Sequence, residues 1–398
     1  MLTINSNFLR LKQSFLFTEV TNRTQAYAQA HPNDKVLKLG IGDVQGPLVP
    51  IVIEALHNAV EDQATTERFH GYGLENGPLW LRQRITDFDY APRGIQLSHN
   101  EVFISDGIGS DIGNLSDIFD THNRVAITDP VYPAYIDSNT MAGREIMLLP
   151  CTPENSFCPA LPDEVPDIIY LCSPNNPTGT AMTRAELKIW VDYAIEHHSV
   201  IIFDAAYEPF IVSSDVPHSI YEIEGAKQCA IELCSMSKRA GFTGIRCGYT
   251  IVPNELQGRS LTGELIPLNP LWLRRTCTKY NGTSYISERA AEAVLTEVGR
   301  QQTQAQINIY HNNAAHILEA LKSKGMEVYG GIDSPYIWMR TPDNMGSWQF
   351  FDYLLNTCQV VCTPGVGFGE YGTEFVRFSA FGAPEQIAEA TERIVNLL

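Results

Sequence analysis

The chain has 398 residues, 44% of them apolar, which is enough for two domains and a sizeable core. Aspartate and glutamate outnumber lysine and arginine by 46 to 28, and the formal net charge of −18 disfavours nucleic acid and anionic membranes as partners. No apolar stretch approaches the roughly 20 residues that span a bilayer, and the N-terminus lacks a charged-then-apolar leader, so a cytoplasmic protein is expected.

In chain order, the first strand-like run is Glu101-Val102-Phe103-Ile104-Ser105, leading into Asp106-Gly107-Ile108-Gly109-Ser110-Asp111. Such a glycine-rich turn at a helix start attracts an anion through its free N–H groups and the helix dipole. A dinucleotide fingerprint competes with this reading, but the glycines at 107, 109 and 113 are spaced one residue too long for it. A single phosphate suits the turn better. Next, Ile168-Ile169-Tyr170-Leu171-Cys172 empties into Ser173-Pro174-Asn175-Asn176-Pro177-Thr178-Gly179, where proline and glycine end the strand. Thr183 and Glu186 form a capping-box pattern ahead of a helix predicted from Ala185 to His197. Val200-Ile201-Ile202-Phe203-Asp204 then reads as a buried parallel strand, completing a βαβ unit. Asp204 would lie on the rim where open α/β sheets bind ligands, although a turn or cap would also employ an aspartate there.

A further apolar run, Ala230-Ile231-Glu232-Leu233-Cys234, leads into Ser235-Met236-Ser237-Lys238-Arg239-Ala240-Gly241-Phe242-Thr243-Gly244-Ile245-Arg246. A lysine becomes a catalyst when its amine is kept neutral and aimed at a carbonyl carbon, as in a Schiff base. Most lysines are solvated surface charges, so Lys238 gains meaning only from its surroundings. Ser235, Ser237 and Arg246 would suit a phosphate-bearing aldehyde, and pyridoxal 5′-phosphate is such a molecule. Asp204 would pair with its ring nitrogen, while Asn176 and Tyr207 would reach its phenolic oxygen. Beyond these motifs, a long helical pattern is predicted from Tyr285 to Lys324. Short strands are predicted at Val328, Tyr336-Ile337-Trp338-Met339, Val360-Val361 and Phe375-Val376-Arg377-Phe378, and a final helix from Pro384.

The order of glycine-rich turn, Asn-Pro-Thr-Gly, Asp-x-x-Tyr, Ser-x-Ser-Lys and arginine resembles the fold-type I pyridoxal-phosphate aminotransferases, over nearly the whole chain from about 40 to 377. Within them the chain most resembles the LL-diaminopimelate aminotransferases, through Leu39-Gly40-Ile41-Gly42-Asp43, Gly71-Tyr72-Gly73-Leu74-Glu75-Asn76-Gly77 and Thr276-Cys277-Thr278-Lys279-Tyr280-Asn281-Gly282. The resemblance implies an α/β fold: a mainly parallel sheet with helices on both faces over 48–281, and a smaller α+β domain from 1–47 with 282–398. It implies Lys238 as the cofactor-bearing catalytic lysine that moves the substrate's α-proton, with Asp204 and Tyr207 assisting it. Gly107, Ile108, Gly109, Ser110, Ser235, Ser237 and Arg246 would hold the phosphate, Tyr132 would stack on the ring, and Tyr72 would reach across from a second subunit of a homodimer. Arg377 would clamp the substrate carboxylate bidentately. Phe15, Gly42, Gly109, Tyr132 and Asn176 would also touch substrate, with Glu75 and Asn281 reading its far end from the second subunit.

An acidic residue such as Glu75 suits an ammonium and favours diaminopimelate over aspartate or aromatic substrates. Relatives carry a lysine near Gly109 and a tyrosine near Phe15 where this chain has neither, so relaxed diaminopimelate stereospecificity is expected. A β-eliminating lyase or cyclopropane-forming synthase would use the same Lys238 and Asp204, whereas a ligand-sensing regulator fits poorly with the charge. The nine cysteines form no C-x-x-C pair and read as reduced thiols. His197-His198 lacks ligand-like companions, and no metal is expected.

Overall fold

The computed structural model describes residues 1–11 and 16–398. A seven-stranded sheet organises the larger part of the chain. Its strands are β1 Val102–Ser105, β2 Arg124–Asp129, β3 Glu145–Pro150, β4 Ile168–Cys172, β5 Val200–Asp204, β6 Ala230–Ser235 and β7 Gly248–Ile251. Across the sheet they run in the order β1-β7-β6-β5-β4-β2-β3. Strand β7 is antiparallel to both of its neighbours, and the other pairings are parallel.

Alternate residues of a strand face opposite sides, so the continuous apolar runs fill two cores. Ile169, Leu171, Ile201 and Phe203 pack on one face with Leu187 and Trp190 of helix Arg184–His197. Ile168, Tyr170, Val200 and Ile202 pack on the other with Ile112, Leu115 and Trp272. Helices therefore cover both faces, as expected of this α/β class. The capping box at Thr183 and Glu186 is formed, with the Thr183 N–H donating to the Glu186 carboxylate at 2.7 Å. The antiparallel β7 is not legible in the sequence. Its first residue must be glycine, because a Cβ on Gly248 would come within 2.7 Å of the Cys234 carbonyl oxygen.

The smaller part carries a four-stranded antiparallel sheet from β8 Val328–Gly330, β9 Tyr336–Arg340, β10 Thr363–Pro364 and β11 Phe375–Ser379, in the order β8-β9-β11-β10. Three predicted features differ in detail. Val360–Val361 lies outside this sheet and pairs in parallel with Leu37–Lys38. The long helical pattern is two helices, Tyr285–Val294 and Glu297–Ser323, because Thr296 starts a new one by accepting from the Gly299 N–H at 3.0 Å. The break sends Ala290, Ala291 and Val294 into a core of the large sheet, and Ala314, Ile317 and Leu321 into the core of the small one. The N-terminal segment divides as well. Leu16, Val20, Leu37 and Leu39 join the small core, while Asn5 Nδ2 donates to the Met141 carbonyl beside the large sheet at 3.0 Å. No described helix is long and apolar enough to cross a membrane.

Candidate active site

A cavity of about 570 Å³ opens where β4, β5 and β6 end. Cys172, Asp204 and Ser235, the last residues of those strands, line it, facing Tyr336, Thr363 and Arg377 of the small sheet. The fold thus places the C-terminal rim of a parallel sheet against a second sheet, the usual geometry of an α/β ligand site. Lys238 stands on the short helix Met236–Ala240, whose N-cap Ser235 accepts from the Ser237 N–H at 3.0 Å. Its Nζ donates to the Gly42 carbonyl and lies 5.3 Å from the centre of the Phe381 ring. Burial pushes this amine down to about 8, with Asp43 opposing the shift and Arg377 and Arg246 adding to it.

Asp204 is buried and accepts two hydrogen bonds, from the Tyr135 hydroxyl at 2.5 Å and from the Ala206 N–H at 2.9 Å. Burial raises its pKa against the pull of those donors. A buried carboxylate of this kind gains from a cation, and no described residue forms an ion pair with it. The cavity wall beside it also holds a cradle for an anion. Gly107 has φ +117°, and a Cβ there would sit 2.7 Å from Nη2 of Arg246. Only glycine lets the guanidinium come that close to the first turn of helix Ile108–Leu115. Arg246 Nη1 donates to Ser237 Oγ at 3.2 Å. Arg246 itself adopts a left-handed φ of +66°, a strain of about 1–3 kcal/mol that clusters at functional sites.

Arg377 is 1% exposed and makes no salt bridge within the described chain. Its Nη1 donates to Asn176 Oδ1 at 2.5 Å and its Nη2 to the Gly40 carbonyl at 2.7 Å. Its guanidinium lies 4.2 Å from the Tyr336 ring centre, and its Nε is buried without a partner. A buried guanidinium held by neutral acceptors is prepared to receive a carboxylate.

A family profile described as aminotransferase class I and II matches residues 34–394. The chain belongs to the class I and II aminotransferases. It is 52% identical to an LL-diaminopimelate aminotransferase of Bacteroides fragilis and 51% identical to one of Lachnospira eligens, each alignment covering all of both chains. Among solved structures, L,L-diaminopimelate aminotransferase from Chlamydomonas reinhardtii superposes with a TM-score of 0.93 at 39% identity, covering 100% of this chain and 98% of the other.

In this aminotransferase, Gly42, Ile108, Gly109, Tyr132, Asn176, Asp204, Tyr207, Ser235, Ser237, Lys238, Arg246 and Arg377 all contribute to one wall system, from segments far apart in sequence. Ser110 sits on the helix behind the wall, its N–H donating to the Gly107 carbonyl at 3.0 Å. Tyr72, Glu75 and Asn281 do not reach the cavity of their own chain; all three are exposed, Tyr72 at 91%. Phe15 lies outside the described residues. Sequence reasoning missed Tyr135, whose hydroxyl holds Asp204, and the role of Tyr336, whose hydroxyl is 2.9 Å from that of Tyr207. Tyr135 lies in the first turn of helix Ala134–Ala142, and Tyr132 lies just before that helix; their rings meet edge to face with centres 5.9 Å apart. Tyr336 carried no local signal beyond its place in a strand.

Proposed function

We propose that this aminotransferase interconverts LL-diaminopimelate and tetrahydrodipicolinate, with glutamate and 2-oxoglutarate as the second pair, using pyridoxal 5′-phosphate. That reaction belongs to the synthesis of lysine and peptidoglycan precursors, and a cytoplasmic site of action goes with it. The full-length identity of 52% to a protein of that name carries the substrate reading. The donor set supports the cofactor: a buried lysine, a buried carboxylate lacking a cation, and a glycine cradle against an arginine. Lys238 would anchor the aldehyde carbon and Asp204 would face the ring nitrogen. Asn176 and Tyr207 would serve the phenolic oxygen, and Tyr132 would cover the ring. Gly107, Ile108, Gly109, Ser110, Ser235, Ser237 and Arg246 would surround the phosphate.

When bound, the cofactor supplies an electron sink for negative charge on the substrate's α-carbon. Arg377 binds the α-carboxylate through a planar fork, and its bonds to Asn176 and Gly40 fix the plane in which that fork lies. Burial pushes the Lys238 amine down to about 8, so its neutral form grows through the mildly alkaline range, and its Nζ takes the proton from the substrate's α-carbon. Burial disfavours the charged form of Asp204; the two donors from Tyr135 and Ala206 oppose that, and a cation facing the carboxylate would complete the compensation. Gly42 leaves room for the Tyr336 hydroxyl and Arg377, since a Cβ there would meet the first at 2.6 Å and Nη2 of the second at 3.4 Å.

We also place the chain in a homodimer, in which Tyr72, Glu75 and Asn281 of the second subunit complete each site; their exposure in the single chain supports this. The division into 48–281 and 1–47 with 282–398 would let the small domain carry Arg377 towards Lys238. The test is formation of glutamate from 2-oxoglutarate with LL- and meso-diaminopimelate as separate donors, beside size-exclusion chromatography. Turnover of the LL isomer by a dimer is expected, with measurable turnover of the meso isomer. An active monomer would refute the shared site, and turnover of the LL isomer alone would refute the relaxed stereospecificity.

A further inference from the structure

We infer that Lys38 captures anionic substrates at the mouth of the cavity and passes their carboxylates on to Arg377. Four cations line the cavity: Lys38, Lys238, Arg246 and Arg377. The other three have uses in the reading above. Lys38 is exposed, and among the described residues it makes no hydrogen bond or ion pair.

The backbone places this residue at one end of the cavity wall. The Gly42 carbonyl accepts from Lys238, and the Gly40 carbonyl accepts from Arg377 Nη2 at 2.7 Å. Lys38, at the end of strand Leu37–Lys38, is two residues before Gly40 and lines the same cavity, so its backbone stands about 7 Å or less from Gly40 along the chain. Its strand is held in place by parallel pairing of Leu37–Lys38 with Val360–Val361, and by the Leu39 N–H bond to the Val361 carbonyl at 2.8 Å. On the facing wall, helix Leu16–Ala30 presents Phe17 and Val20 and then Thr21, Thr24 and Gln25. The Thr21 and Thr24 hydroxyls are committed to the Phe17 and Val20 carbonyls at 2.8 and 2.7 Å. Lys38 and Gln25 are therefore the uncommitted side-chain donors at this end. The acids on the wall are Asp204, buried at the floor, and Asp43, which is exposed.

A protein of net charge −18 repels the carboxylates it must bind unless positive charge is concentrated at the entrance. A unit charge about 7 Å away across water changes capture by a factor of about 3 for a monoanion and about 7 for a dianion. The relay rests on Arg377 being the carboxylate clamp, and the experiment keeps the two apart.

The holoenzyme and its Lys38→Met, Lys38→Arg and Arg377→Lys variants are assayed for each half-reaction at about 0.01 M and about 1 M ionic strength, between which the Debye length falls from ~30 to ~3 Å. At low salt, Lys38→Met is expected to lower kcat/KM about 7-fold for dianionic 2-oxoglutarate and about 3-fold for glutamate. The loss should be smallest for net-neutral LL-diaminopimelate, should lie in KM rather than kcat, and should fade at high salt. Lys38→Arg should retain wild-type values. Equal losses for all three substrates, or a loss that salt leaves unchanged, would overturn the relay while leaving the clamp intact. An Arg377→Lys variant with unaltered KM for every acid would overturn the clamp and the relay with it.

Discussion

Glu208 sits beside Tyr207 and is bonded to Arg239, the neighbour of Lys238, so its removal tests how the site is held. Its carboxylate is 4% exposed and accepts from Arg239, from Arg93 Nη2 at 3.0 Å and from His218 Nδ1 at 3.1 Å. Arg239 also meets Asp89 at 2.6 Å, and Asp89 accepts from the Tyr249 hydroxyl at 3.0 Å. In Glu208→Gln, Arg239 keeps Asp89, while Arg93 loses the only carboxylate it is bonded to among the described residues. Removing one member of a buried ionic network costs about 3–5 kcal/mol, because charge is left without a partner. Burial alone would raise the Glu208 pKa, but Arg239 and Arg93, with His218, hold it well below the usual carboxylate range. A depressed pKa contributes stability that is complete above the unfolded value of about 4.3 and is lost as pH falls below it. Urea unfolding followed by tryptophan fluorescence should therefore show a wild-type advantage of about 3–5 kcal/mol that stays constant from about pH 8 to pH 5. A difference under about 1 kcal/mol, or one that halves within that range, would refute the reasoning.

Arg377→Lys should raise KM for amino and oxo acids by about 10–100-fold, since a lysine cannot replace a bidentate fork or bond Asn176 and Gly40 together; steady-state kinetics measure it. Gly107→Ala places a side chain at φ +117° and against Arg246. It should weaken cofactor retention by at least about 10-fold, read as the dissociation constant for pyridoxal phosphate by absorbance titration. Burial pushes Glu288 up to about 7. A raised pKa favours the fold below about pH 4 and penalises it progressively as pH rises through 7, so Glu288→Gln should stabilise by roughly 3 kcal/mol at pH 8. That gain should disappear towards pH 4 in urea titrations.

The sequence made the rim of the candidate site legible because each strand entering it is a largely apolar run that gives way to polar residues, with Asp204 and Ser235 ending two of the three. The rim residues lie in three consecutive segments, so local reading was enough to collect them. Long-range partners were harder to read. Tyr336 belongs to a strand more than a hundred positions from Tyr207, and only the closing of the small sheet over the large one brings the two hydroxyls together. Strand β7 escaped because glycine and threonine in a four-residue run carry little apolar signal, although Gly248 is required by the crowding around it. The break at Thr296 was hidden by apolar periodicity that continues on both sides, and a single capping hydroxyl decides it.

The central claim, a lysine-borne cofactor that exchanges its amino group with diaminopimelate, is tested most directly by the visible spectrum of the purified protein. LL-diaminopimelate is added first, then 2-oxoglutarate, with Lys238→Ala alongside. The expected result is a cofactor band that shifts with diaminopimelate and returns with 2-oxoglutarate in the wild type, and fails to cycle in the variant. A band that responds to glutamate, aspartate or an aromatic amino acid but never to diaminopimelate would contradict the substrate. A protein with no cofactor band after incubation with pyridoxal phosphate would contradict the whole account.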